Sequence, residues 1–88
     1  MSAWADMKAN LEASAAVYDT LAGNLETLHS QAEGGQLLWS RITPTASNVK
    51  EVSEAAGWVL ETNEAIMTVA RGCKQTAAAI RAASASYP

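Results

Sequence analysis

The sequence predicts an all-α protein, a two-helix antiparallel hairpin that assembles as a four-helix bundle dimer. Small and apolar residues recur at alternating steps of three and four on both sides of Gly34-Gly35, which is the spacing of one helix face. The 88 residues suffice for one domain, spanning 1–88. Because two helices cannot enclose a core, a second hairpin is expected to cover them.

The first helix is expected over about residues 2–33. Ser2 is suited to cap its N-terminus, and Gly34 is suited to end it, since glycine readily adopts the left-handed conformation of a C-cap. One face of this helix is predicted to form a seam, the line of side chains that contacts the second helix. Its members are Trp4, Met7, Leu11, Ser14, Tyr18, Leu21, Leu25, Leu28 and Ala32.

The bend is expected over residues 34–46, with one short helical turn that Pro44 ends. The second helix is expected over about residues 47–86, with Thr45 or Ser47 as its cap. Its seam is predicted to contain Val49, Val52, Ala56, Val59, Asn63, Ile66, Ala70, Cys73, Ala77, Ile80, Ser84 and Tyr87.

Several apolar residues outside the two seams indicate a partner interface. Leu60 and Met67 broaden the second seam, and Trp58 lies just outside it, where an uncovered indole is unfavourable. An aromatic side chain in the bend is able to plug the end of a bundle, either of its own hairpin or against a second chain. The predicted partner interface comprises Trp39, Leu37, Leu38, Trp58, Leu60, Met67 and Asn63.

Polar residues in or beside the seams leave alternatives open. Asn63 either fixes the register of the helices or faces a wet gap. An acidic line recurs every seven residues, and it is either a solvated flank or a stripe that faces a basic partner. Cys73 is interpreted as a buried thiol, with a reactive thiol as the alternative. The acidic line consists of Glu12, Asp19, Glu26 and Glu33.

Charge and composition exclude several classes of function. The net charge is −3 and the basic residues form no run, which argues against nucleic-acid binding. No apolar stretch is long enough to predict membrane insertion, and no classical signal peptide is expected. His29 is the one histidine and is interpreted as a surface or capping residue. We therefore expect no enzyme, with no catalytic residues, no cofactor and no metal.

The layout resembles the WXG family of small type VII secretion substrates, the early-secreted-antigen-like proteins of actinobacteria and firmicutes. Trp39-Ser40-Arg41 lies near the middle of the chain, where that family carries Trp-x-Gly, with Arg41 in place of the glycine. The alanine-rich stretch 78–87 is similar to the tails of such proteins. The resemblance covers the whole chain as a pattern.

The resemblance implies a four-helix dimer, either a homodimer or a pair with a related hairpin, and export as a folded pair without a classical signal peptide. Members commonly carry a tyrosine followed four residues later by an acid as an export signal. Here Ala22 stands four residues after Tyr18, and Tyr87 is nearly terminal. The resemblance then implies that a partner or a secreted effector carries the signal, and that this chain is its helper.

Two other functions are kept as alternatives. A type III needle-like structural subunit is also a short helical hairpin with an early tryptophan, here Trp4, and a polar turn, here residues 43–48. A cytoplasmic regulator or antitoxin-like bundle would mask the helix of another protein. Filaments would favour the first alternative, and binding without export would favour the second.

Overall fold

The computed structural model describes residues 3–88, and it confirms the predicted all-α hairpin. Helix α1 spans Ala3–Trp39 and helix α2 spans Val49–Ala85. The two helices pack against each other along their length and form a rod of 72 × 17 × 12 Å. The predicted cap Ser2 lies outside the described residues.

The first helix does not end at Gly34, as the sequence predicted, but continues through Gly34-Gly35 to Trp39. Neither glycine has a positive φ, so neither adopts the left-handed conformation of a C-cap. The helix continues because its last turn still contacts α2, with Gln36 and Trp39 partly buried. The turn predicted inside the bend is therefore the end of α1 itself.

Replacing Gly34 by alanine is expected to raise the free energy of unfolding by about 0.5–1 kcal/mol, because alanine has the higher helix propensity. A Cβ at this position would meet no atom within 4 Å. Thermal unfolding followed by circular dichroism measures the change. A loss of stability would instead indicate that Gly34 needs a conformation that alanine resists.

Helix α2 begins at Val49, and its N-cap is Asn48, where the sequence predicted Thr45 or Ser47. The Asn48 side chain makes no cap hydrogen bond to α2, because its Oδ1 accepts one from the Thr45 backbone N–H at 2.6 Å. The connection between the helices is thus residues 40–48, shorter than predicted.

The seam of α2 is as predicted from Val52 to Tyr87, with every predicted member buried or half-buried; Val49 alone is exposed. The seam of α1 is rotated from the prediction. Of its predicted members, Leu11, Ser14, Tyr18, Leu25 and Ala32 are half-buried, as expected. Met7, Leu21 and Leu28 are exposed. Trp4 is also 45% exposed. The buried and half-buried residues of α1, which form its observed seam, are Lys8, Leu11, Ser14, Ala15, Tyr18, Ala22, Leu25, His29, Ala32, Gln36 and Trp39.

The rotation has a steric cause. Ala15 and Ala22 on α1 and Ala70 and Ala77 on α2 are the buried apolar residues of the described chain, each no more than 2% exposed. Small side chains at the contact favour the short end of the range of distances between packed helices. At the positions of these alanines a larger side chain does not fit between the helices, so Leu21 lies at the edge of the contact.

Candidate interaction surfaces

One side of the hairpin, which we call the ionic side, carries pairs of opposite charge between the helices. Arg81 Nη2 donates a 2.5 Å hydrogen bond to Asp19 Oδ2, and its Nε lies 3.7 Å from Glu12 Oε2. Lys74 pairs with Glu26. The acidic line of α1 therefore has its basic counterpart within the same chain.

The closest of these pairs shifts the pKa of both groups. The hydrogen bond from Arg81 holds the pKa of the Asp19 carboxyl below its usual value, and the same bond raises the pKa of the Arg81 guanidinium. Both side chains are more than 40% exposed, so water and salt screen the attraction. The pair therefore contributes little to the stability of the hairpin.

Replacing Asp19 by asparagine is expected to make stability less dependent on acid pH. Because the pKa of Asp19 is lower in the folded chain, its contribution is present above its unfolded pKa of about 3.9 and is lost as the pH falls through the folded value. Thermal melts across acid pH measure this. The wild type and the variant should differ most near neutral pH and converge in acid; a constant difference would contradict the pairing.

The half of the seam nearest the bend contains polar side chains among its apolar ones. Asn63 is 7% exposed, and its Nδ2 donates to Gln36 Oε1 at 2.7 Å and to the Ala32 carbonyl at 3.3 Å. His29 lies half-buried in this part of the seam, with Nδ1 2.8 Å from Glu33 Oε1. Asn63 thus joins the two helices and does not face a wet gap.

The residues predicted as one partner interface lie on two sides of the hairpin. Leu60 and Met67 line a groove of about 510 Å³ on the ionic side, together with Arg71. Trp58 and Trp39 line a groove of about 360 Å³ on the other side. Asn63 lies between the helices and borders both grooves.

Apolar side chains are also exposed at the bend. Leu37 and Leu38 are each more than half exposed in the last turn of α1, and Ile42 follows them in the connection. Trp39 is half-buried against α2. The bend therefore forms an apolar tip that is exposed to solvent. Trp39 covers only part of the end of the hairpin.

The side opposite the ionic side carries no charge over most of its length. We call it the uncharged face. On α1 it presents Met7, Val17, Leu21 and Leu28, and on α2 it presents Trp58 and Val69. Two rows of residues spaced by seven form this face on each helix, and none of their members is charged. The rows are 7, 14, 21, 28, 35 and 10, 17, 24, 31, 38 on α1, and 55, 62, 69, 76, 83 and 58, 65, 72, 79 on α2. The sequence did not predict this face, because Met7, Leu21 and Leu28 fit the spacing of the predicted seam.

In residues 3–88, no group of three histidine, cysteine or carboxylate side chains is placed to hold a metal ion. Over the same range, neither helix is apolar enough along its length to cross a membrane. Cys73 is a free thiol, half-buried in the seam of α2. The exposed apolar side chains of the hairpin are thus its most distinctive surface feature.

Comparison with known proteins gave no relative: no family model matches the chain, and neither the curated proteins nor the solved structures contain a match.

Proposed function

We propose that this chain is a non-enzymatic interaction protein that packs against another helical hairpin to form a four-helix bundle. The supporting observation is that the hairpin leaves its large apolar side chains uncovered. Among the described residues, no large side chain is fully buried, while tryptophan, leucine, isoleucine, valine and methionine side chains are exposed along the rod. Exposure on this scale marks an interaction surface.

The surface area of the chain supports the same proposal. The accessible surface is 6205 Å², for a mass of 9.2 kDa. A compact monomer of this mass exposes about 4,900 Å², so the hairpin has an excess of about 1,300 Å². A standard protein interface removes about 800 Å² from each partner. The excess is therefore large enough to supply one such interface.

Within this class, we propose a small type VII secretion substrate, or the helper of a secreted effector. The two helices have equal length, 37 residues each, and Trp39 ends the first of them near the middle of the chain. These features agree with the resemblance to the WXG family, although Arg41 stands in place of the motif glycine. Since Ala22 stands where an acid would follow Tyr18, a partner is proposed to carry the export signal.

Deletion of the type VII motor in the source cell tests the export part of the proposal. We expect the extracellular level of this chain to fall together with that of any protein that co-purifies with it, while the intracellular level is kept. An unchanged extracellular level would overturn export and leave a bundle that acts inside the cell. A secreted protein that uses a classical signal peptide serves as the control.

Light scattering and circular dichroism on the purified chain test the bundle part. We expect a helical species of at least twice the chain mass, because the hairpin alone leaves its apolar faces in water. A stable, helical monomer at high concentration that also captures no helical partner would overturn the proposal. Filaments in electron micrographs would point instead to a needle-like subunit.

A further inference from the structure

We infer that the uncharged face binds a second copy of this chain, so that two hairpins form the bundle face to face. The inference rests on the bundle part of the proposed function and names both the surface and its occupant. Since the second copy also lacks an acid four residues after Tyr18, the partner that carries the export signal would bind the dimer outside this face. Trp58 is 69% exposed on this face, and Val17 and Val69 are each more than half exposed. The ionic side, by contrast, already has partners for its charges.

The distribution of charge favours a second copy as the occupant. A twofold interface brings the same surface of both copies together, so a charged surface would meet its own charge. The chain has a net charge of −3, and Glu54, Glu61 and Glu64 lie on the outer surface of α2. Because the uncharged face carries neither sign between its ends, two copies meet there without repulsion.

The sizes of the side chains also match between copies. Along the uncharged face, α1 contributes most of the large apolar residues, including Leu21 and Leu28. Helix α2 contributes a row with the small residues Ala65, Gly72 and Ala79, beside Val69. A twofold axis parallel to the rod places the large row of each copy over the small row of the other. Both bends then lie at the same end of the dimer.

Trp58 is the one large residue in the row of α2 that contains Ala65, Gly72 and Ala79. The groove beside it offers space for the Trp58 side chain of the second copy. Gly35 and Thr62 line the groove with it, and a Cβ at Gly35 would meet no atom within 4 Å. With the bends at the same end, the indole of the second copy lies at the level of Gly35. The open space above that glycine is therefore available to the indole.

Matched aspartate substitutions test the face. Val17→Asp and Trp58→Asp place a charge on the uncharged face at sites that are more than half exposed, so each hairpin should still fold. Both are expected to raise the dimer Kd at least tenfold, because a buried charge without a partner is strongly unfavourable. Ala13→Asp, at an exposed position of α1 outside the uncharged face, and Leu60→Asp, on the ionic side and 50% exposed, are the controls.

Light scattering over a dilution series, with helicity checked on each variant, gives the Kd values. Helical monomers for the first two variants and dimers for both controls would support the inference. Dissociation by Leu60→Asp alone would move the interface to the ionic side, overturning this inference while the proposed bundle stands. A monomeric wild type that packs against a different hairpin would overturn the second copy as the occupant.

A distance measurement tests the arrangement of the two rows. Spin labels on Arg41→Cys, in a Cys73→Ser background, report the separation of the two bends. We expect a separation within roughly 30 Å, since packed helix axes lie about 8–10 Å apart. A separation near the 72 Å length of the rod would mean that the bends lie at opposite ends, and it would overturn the placement of large rows over small ones.

Discussion

Replacement of Ala70 by aspartate is expected to abolish the folded hairpin. Ala70 is 1% exposed in the middle of the seam, and the helix contact leaves no room for water around a carboxylate. An unpaired buried charge costs several kcal/mol, which is comparable with the whole stability of a small domain. Far-ultraviolet circular dichroism should show a large loss of helix and no cooperative thermal transition.

Thr68→Asp is the matched control, because it places the same charge on the same helix, two residues earlier, at an exposed position. This variant should keep the wild-type spectrum. If Ala70→Asp also unfolds cooperatively within a few degrees of the wild type, the two helices do not meet at Ala70.

Replacement of Ala77 by leucine is expected to lower the free energy of unfolding by about 1–3 kcal/mol, although it adds apolar surface. Ala77 is 1% exposed against α1. A leucine there has no space between closely spaced helices, so the helices must separate or the side chain must leave its preferred rotamer. Denaturant unfolding measures the change.

Ala78→Leu is the control for the replacement of alanine by leucine in α2. Ala78 is the next residue of the same helix, and it is exposed. We expect it to alter stability by no more than about 0.5 kcal/mol. A more stable Ala77→Leu chain would show that the contact has spare volume at this point, contrary to the close approach described above.

The seam of α2 could be predicted from the sequence, whereas that of α1 could be predicted only in part. On α2 one line of apolar and small residues stands out, and from Val52 onward it faces α1 as expected. On α1 the predicted line, with Leu21, and the observed line, with Ala22, have every seventh residue in common. Which of the two lines faces inward depends on the side chains of α2. Because Ala70 and Ala77 demand small neighbours, Ala15 and Ala22 face inward and Leu21 does not.

The ends of the helices and the partner interface were harder to predict for a related reason. Gly34-Gly35 resembles a helix end, but contacts of Gln36 and Trp39 with α2 extend the helix beyond it. Leu60 and Trp58 are near in sequence, and only the rotation of α2 against α1 shows that they lie on opposite sides. In both cases tertiary packing overrides the local pattern.

The alanine contacts have a consequence for how uniquely the hairpin is aligned. Alanines recur at intervals of seven on both helices, at Ala15 and Ala22 and at Ala70 and Ala77, so sliding one helix by seven residues would again set alanine near alanine. The alanine contacts alone therefore discriminate only weakly between the native alignment and one shifted by seven residues. What distinguishes the native alignment is its irregular contacts: the Asn63–Gln36 hydrogen bond at one end and the Trp4–Tyr87 ring pair at the other.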